Sequence, residues 1–175
     1  MGEDENKKRE RRHREDLERL RGFRPIDDTF MRGIFKENIP LAELVLRIIT
    51  GKPDLVLLKC ETQADMKRVT GARSVCLDAY ATDSTGKKYD IEVQRSDNGA
   101  DPHRARYHSS MLDIEYRDNS DIGRLMHDFN CTNASDMYFD LLAEKTRYLK
   151  ENPKGVSEMC KVMEDLRNES YAEGR

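Results

Sequence analysis

Tryptophan is absent and aromatic residues make up only 7% of the 175 positions, so any hydrophobic core is modest and mainly aliphatic. No apolar run approaches the ~20 residues that a bilayer-spanning helix needs. The N-terminal region is charged throughout and lacks the apolar stretch of a secretory leader. Cys60, Cys76, Cys131 and Cys160 are widely spaced and form no CxxC pair. That speaks against a zinc knuckle or disulfide scaffold and for reduced thiols in a cytoplasmic protein. No Gly-rich phosphate loop and no GxSxG elbow occurs. An excess of one charge sign is missing too: 31 basic residues meet 34 acidic ones, whereas a protein that coats DNA is strongly basic. At this length one domain is expected.

What is present begins with a charged segment. Residues 1–22 hold eight Lys or Arg against seven Asp or Glu, and Leu17 and Leu20 are the only apolar side chains after Met1. Such a segment is expected as a solvated helix or a disordered tail. Residues 25–51 read as helical. Phe30, Ile34 and Phe35 form one stripe that ends at Pro40; Leu41, Leu44, Val45, Ile48 and Ile49 form a second, closed by Gly51. Residues 55–60 suit a strand. Two alternating runs, 74–83 and 88–95, flank a short Gly-containing turn and predict a β-hairpin. Asp101-Pro102 starts a predicted helix that runs to about Arg117. Beyond the break at 118–121 the chain is helical. Leu141, Leu142, Lys145, Tyr148 and Leu149 mark one helix that stops at Asn152-Pro153, and Val156, Met159, Cys160 and Met163 mark another. These two are expected to pair as a hairpin. His103 and His108 are five apart, poorly spaced for one helix face, and His127 reads as isolated; each is expected to be structural or exposed, and no cysteine is expected to have a nearby histidine that activates it.

The hairpin carries the chemistry. Its apolar residues fall at odd numbers, so Asp78 shares the other face with Asp90, Glu92 and Gln94. For the apolar sets to share a face, paired numbers must sum to an even value. A three-residue loop over Ser84, Thr85 and Gly86, or a five-residue one, gives a sum of 170 and sets Asp78 directly opposite Glu92, Cβ atoms roughly 5 Å apart. Sums of 168 or 172 make them diagonal neighbours. Facing acids call for a compensating charge, either a hard divalent cation with oxygen ligands or the neighbouring Lys87, Lys88 and Arg95.

An aspartate in one strand, a turn, then Glu-x-Gln in the next, flanked by helices, resembles the PD-(D/E)XK nuclease superfamily. The strings GARSVCLDAYATD (71–83), GKKYDIEVQR (86–95), PHRARYHSS (102–110) and GRLMHDF (123–129) resemble its transposase-associated, recombination-promoting nuclease branch, over most of residues 25–175. The resemblance implies a Mg²⁺-dependent DNA endonuclease, with Mn²⁺ as a substitute ion. Asp78 and Glu92 would be metal ligands and Gln94, where the superfamily usually has lysine, the water-positioning residue. Arg104 and Arg106 would contact DNA phosphates or pair with Asp97 and Asp101. Glu43 is either an additional acid or a solvated surface residue.

The superfamily core runs αβββαβ. Here Met111-Leu112-Asp113 passes directly into a string resembling a part of the family chain well downstream, so the last strand is expected to be missing and the chain to be internally deleted. The expected fold is therefore α/β (α+β), a restriction-endonuclease-like core with a three-stranded mixed sheet flanked by helices, plus a C-terminal helical hairpin. The expected divisions are a charged segment (1–22), the nuclease-like core (23–117), a connector (118–134) and a helical segment (135–175). The alternative is an inactive remnant serving as a structural or protein-interaction domain. Expected partners are DNA and a second copy, through an exposed sheet edge or the C-terminal helices, and no membrane.

Overall fold

In the computed structural model, residues 2–62, 79–94, 111–113 and 119–172 are described. Helix α1 (Gly2–Gly22) is followed by α2 (Asp28–Phe35) and α3 (Ile39–Thr50). Strands β1 (Leu57–Thr62), β2 (Ala79–Asp83), β3 (Lys88–Gln94) and β4 (Met111–Asp113) form one sheet in that order. The chain closes with α4 (Asp121–Asn130), a single 3₁₀ turn (Ala134–Asp136), α5 (Asp140–Glu151) and α6 (Pro153–Ala172). The architecture is mixed α and β, with helix predominating. No helix among the described residues is long and apolar enough to cross a membrane.

The helix boundaries follow from local chemistry. Asn38 caps α3 by accepting the Leu41 N–H at 3.4 Å, and Pro40 sits in the first turn, where a missing N–H costs nothing. Gly51 ends α3 in the left-handed region at φ 63°. Ser120 caps α4 through the Gly123 N–H at 3.1 Å. Asn152 interrupts the last two helices, and Pro153 opens α6 rather than merely stopping α5.

The core joins both halves of the chain. Phe30, Ile34 and Phe35 of α2 pack with Leu41, Val45 and Leu46 of α3, with Leu125, Met126 and Phe129 of α4, and with Leu142, Leu149, Met159 and Met163 of α5 and α6. The buried stripe of α3 is Leu41, Ala42, Val45 and Leu46; Leu44, Ile48 and Ile49 of the expected stripe are only partly covered. From the sheet, Ala81, Tyr89 and Ile91 are buried, as the odd-number alternation predicts. Lys150 fastens three segments. Its ammonium donates to the carbonyls of Arg21, Phe23 and Thr132 at 3.1, 2.5 and 2.6 Å and lies 5.3 Å from the Phe30 ring centre.

The charged N-terminal segment is a helix, exposed over residues 5–15. Towards its end Leu20 enters the core, and Asp16 is buried in a two-pronged ion pair with Arg167 of α6, at 2.5 and 2.9 Å.

The sheet departs from expectation at residues 111–113. The helix predicted to reach Arg117 does not include them: Met111–Asp113 is a strand, parallel to β3, with Glu92↔Met111 and Gln94↔Asp113 in register. To the three antiparallel strands β1–β3 this short segment adds a fourth, parallel to β3, so the sheet has four strands instead of three. A parallel return needs a connection of about a dozen residues or more, and the interval 95–110 supplies it. The rest of that predicted helix lies outside the described residues, and at 111–113 three residues are too few for strand alternation to register.

Candidate functional site

The hairpin turn is built around one carboxylate. Asp83 Oδ1 accepts from Thr85 N–H, Thr85 Oγ1 and Lys87 N–H at 2.8, 2.7 and 2.9 Å, and Oδ2 accepts from the Tyr89 hydroxyl at 3.0 Å. The Thr85 hydroxyl bond leads the causes that hold the Asp83 carboxyl down at about 2, outweighing the cost of burial. Burial, and secondarily the bond to Asp83, push the Tyr89 hydroxyl up. Gly86 supplies φ 83°, a backbone conformation that other residues adopt at a cost. With Asp83 N–H bonded to Lys87 O, the loop is Ser84–Gly86.

This turn sets the register. Ala79↔Ile91, Tyr80↔Asp90, Ala81↔Tyr89 and Thr82↔Lys88 are paired, each summing to 170. Glu92 and Gln94 occupy β3 positions in phase with exposed Lys88 and out of phase with buried Tyr89 and Ile91. Both lie beside β4. Asp78, Arg104 and Arg106 fall outside the described residues.

Glu43 is placed elsewhere. Its Oε1 lies 2.6 Å from Arg47 Nη2 and its Oε2 accepts the Leu57 N–H at 3.1 Å, while Arg47 Nε donates to Leu55 O at 2.8 Å. The pair ties α3 to the start of β1. Leu57 is paired with Asp83, at the turn end of the hairpin. Position 92 lies four residues along β3 from Lys88 at its turn end, roughly 13 Å away in strand rise. The structure does not bring Glu43 and Glu92 together.

A second cluster lies at the end of α4. Asp128 is fully buried, and its carboxylate accepts the N–H groups of Tyr138, at 2.9 Å to each oxygen, and Phe139 at 2.8 Å. It thereby anchors the two residues that lead into α5, whose N-cap Phe139 makes no side-chain cap. His127 Nδ1 is 3.2 Å from Asp128 Oδ1 and 3.6 Å from Cys131 Sγ. The His127 ring meets the Tyr138 ring edge-on at 4.8 Å. Burial first, then the charges of Asp128 and Asp136, raise the Cys131 thiol above its ordinary value.

The sequence reading of His127 as isolated, and of the cysteines as lacking a neighbouring histidine, is corrected here. His127 and Cys131 are four apart at a helix end, the spacing that stacks side chains one turn apart, and that signal was available in the sequence. Cys160 Sγ likewise lies 3.9 Å from His13 Nδ1, a contact between α6 and α1 that no local spacing announces.

Comparisons with family models, with curated proteins and with solved structures find no match for the chain.

Proposed function

We propose that the chain is a metal-dependent DNA endonuclease of the PD-(D/E)XK type, cutting phosphodiester bonds at the β2–β3 hairpin. The observation that carries this reading is the hairpin register of 170, the one in which Asp78 is expected opposite Glu92. The parallel strand β4 beside Glu92 and Gln94 supports it further, because a strand after the antiparallel meander is what the αβββαβ core requires.

The donor set suits a hard cation. Asp78 and Glu92 offer carboxylate oxygens, and position 92 falls in the phase of exposed Lys88 rather than that of the buried core residues. Mg²⁺, when bound, supplies Lewis-acid polarisation of the phosphodiester and a more acidic water. Gln94 is two residues from Glu92, hence on the same face of the strand, where its amide orients a water without adding charge. Arg104 and Arg106 hold the DNA backbone.

Nicking of supercoiled plasmid in Mg²⁺ or Mn²⁺ tests the proposal. Asp78→Ala and Glu92→Ala are expected to lose at least about 100-fold in rate, with Thr82→Ala, on the same strand face, unaffected. Equal nicking by Asp78→Ala overturns the assignment.

A non-catalytic interaction role is favoured by one feature: Val56, just before β1, and Leu58, within it, are 47% and 65% exposed, and β1 is an edge of the sheet among the described residues. An open apolar edge invites pairing with another chain. Thermal melting separates the readings. The nuclease reading expects a higher melting temperature in millimolar Mg²⁺, through binding to the native state, and loss of that rise in Glu92→Ala. The interaction reading expects no response to Mg²⁺.

A further inference from the structure

We propose that His127, Asp128 and Cys131 form a second metal site, for a borderline-soft divalent ion of the Zn²⁺ class, separate from the hard-cation positions on the hairpin. The three ligand atoms lie within 4.8 Å of one another, and among the described residues they are the one such group of three or more His, Cys, Asp or Glu. A tetrahedral ion with bonds of about 2.3 Å to sulfur and about 2.0–2.1 Å to nitrogen and oxygen holds its ligands roughly 3.3–3.6 Å apart. Two edges already match, with Nδ1 to Asp128 Oδ1 at 3.2 Å and Nδ1 to Cys131 Sγ at 3.6 Å, and the third, between Asp128 and Cys131, lies within 4.8 Å, so that binding draws the thiol in.

The same distances do not form a nucleophile relay as they stand. A Cys-His-Asp relay needs the thiol on one ring nitrogen and the carboxylate on the other. Here the carboxylate and the sulfur converge on Nδ1, and the sulfur is nearly as close to Nε2, at 3.8 Å. A sulfur almost equidistant from both nitrogens lies off either lone-pair direction, so loading the site turns the imidazole towards the ion. The ring has room for this, with the His127 side chain 47% exposed. Asp128 needs no such adjustment, since the Tyr138 and Phe139 N–H groups already hold its carboxylate in place, the kind of outer support that metal ligands use. Three protein ligands leave a fourth position for water on the exposed side.

The preference for Zn²⁺ over Mg²⁺ follows from the donors. Thiolate and imidazole suit zinc and cobalt, whereas magnesium takes oxygen. The hairpin positions and this cluster would therefore sort two ions on one chain.

Co²⁺ titration of the purified full chain, stripped of metal, is the test. The expected result is a near-ultraviolet cobalt–thiolate absorption band at one equivalent, displaced by Zn²⁺ and unaffected by Mg²⁺. Cys131→Ser should abolish the band. His127→Gln should weaken Co²⁺ binding by at least about 100-fold, since even supporting groups around a metal cost 10–100-fold when lost. Cys160→Ser, which removes the other Cys–His contact, should leave the band intact. Apo melting temperatures of Cys131→Ser and His127→Gln equal to that of the parent would establish that both fold. A band retained in Cys131→Ser, or lost in Cys160→Ser, overturns the proposal. So does the absence of any band from the folded parent chain.

Discussion

Asp83 shows how one side chain decides a register. Four donors converge on its carboxylate, which stabilises the ionised form and holds the group at about 2 against an ordinary 3.8. A depressed carboxyl contributes stability in full above its unfolded value and loses it as pH falls through the folded one. The urea midpoint of the parent chain should therefore drop towards that of Asp83→Asn between about pH 4 and pH 2, while at pH 6 the parent is the more stable. A gap that does not close on acidification would mean that the charge is not what anchors the turn. The alternation of Ala81, Tyr89 and Ile91 was legible from the sequence because strand pairing is a parity rule, and parity survives without coordinates, whereas the choice of 170 over 168 or 172 needed the folded turn. The Asp83 network was not, since Asp-Ser-Thr-Gly reads as an ordinary turn until the Tyr89 hydroxyl is seen to reach back to it.

At the scale of elements, close approach replaces side-chain chemistry. A Cβ added to Gly155 would stand 2.1 Å from the Tyr148 carbonyl oxygen, where α5 turns into α6. A Cβ added to Gly33 would stand 2.3 Å from Met159 Sδ. The first obstacle is backbone; the second is a pliable thioether. Gly155→Ala is expected to destabilise by about 1–3 kcal/mol and Gly33→Ala by clearly less, because Met159 can move and alanine favours the helix; chemical denaturation of both variants measures the order. The reverse order would place the rigid contact at α2 instead. Most helices were legible because caps and breakers bracket them: Asn38 and Gly51, Ser120, Asn152. Strand β4 was not. Three residues carry no periodicity of their own, and only pairing with Glu92–Gln94 defines them.

Across the whole molecule, α1 is held to α6 by Asp16 and Arg167, 151 positions apart. Arg167→Ala leaves a buried carboxylate without its counter-charge, a loss of about 3 kcal/mol when fully enclosed and less here, with the Arg167 side chain 35% exposed. Amide exchange within α1 should accelerate in that variant while α3 and α4 stay protected; uniform acceleration would indicate that α1 does not open separately. This union of distant segments has a consequence during synthesis. At ~5–20 residues per second, α1 emerges roughly 8–30 s before the surface that receives it. A greasy helix left waiting that long would find other chains. One that exposes charge along most of its length, with Leu17 and Leu20 as its only apolar anchors after Met1, can wait in water until Arg167 arrives.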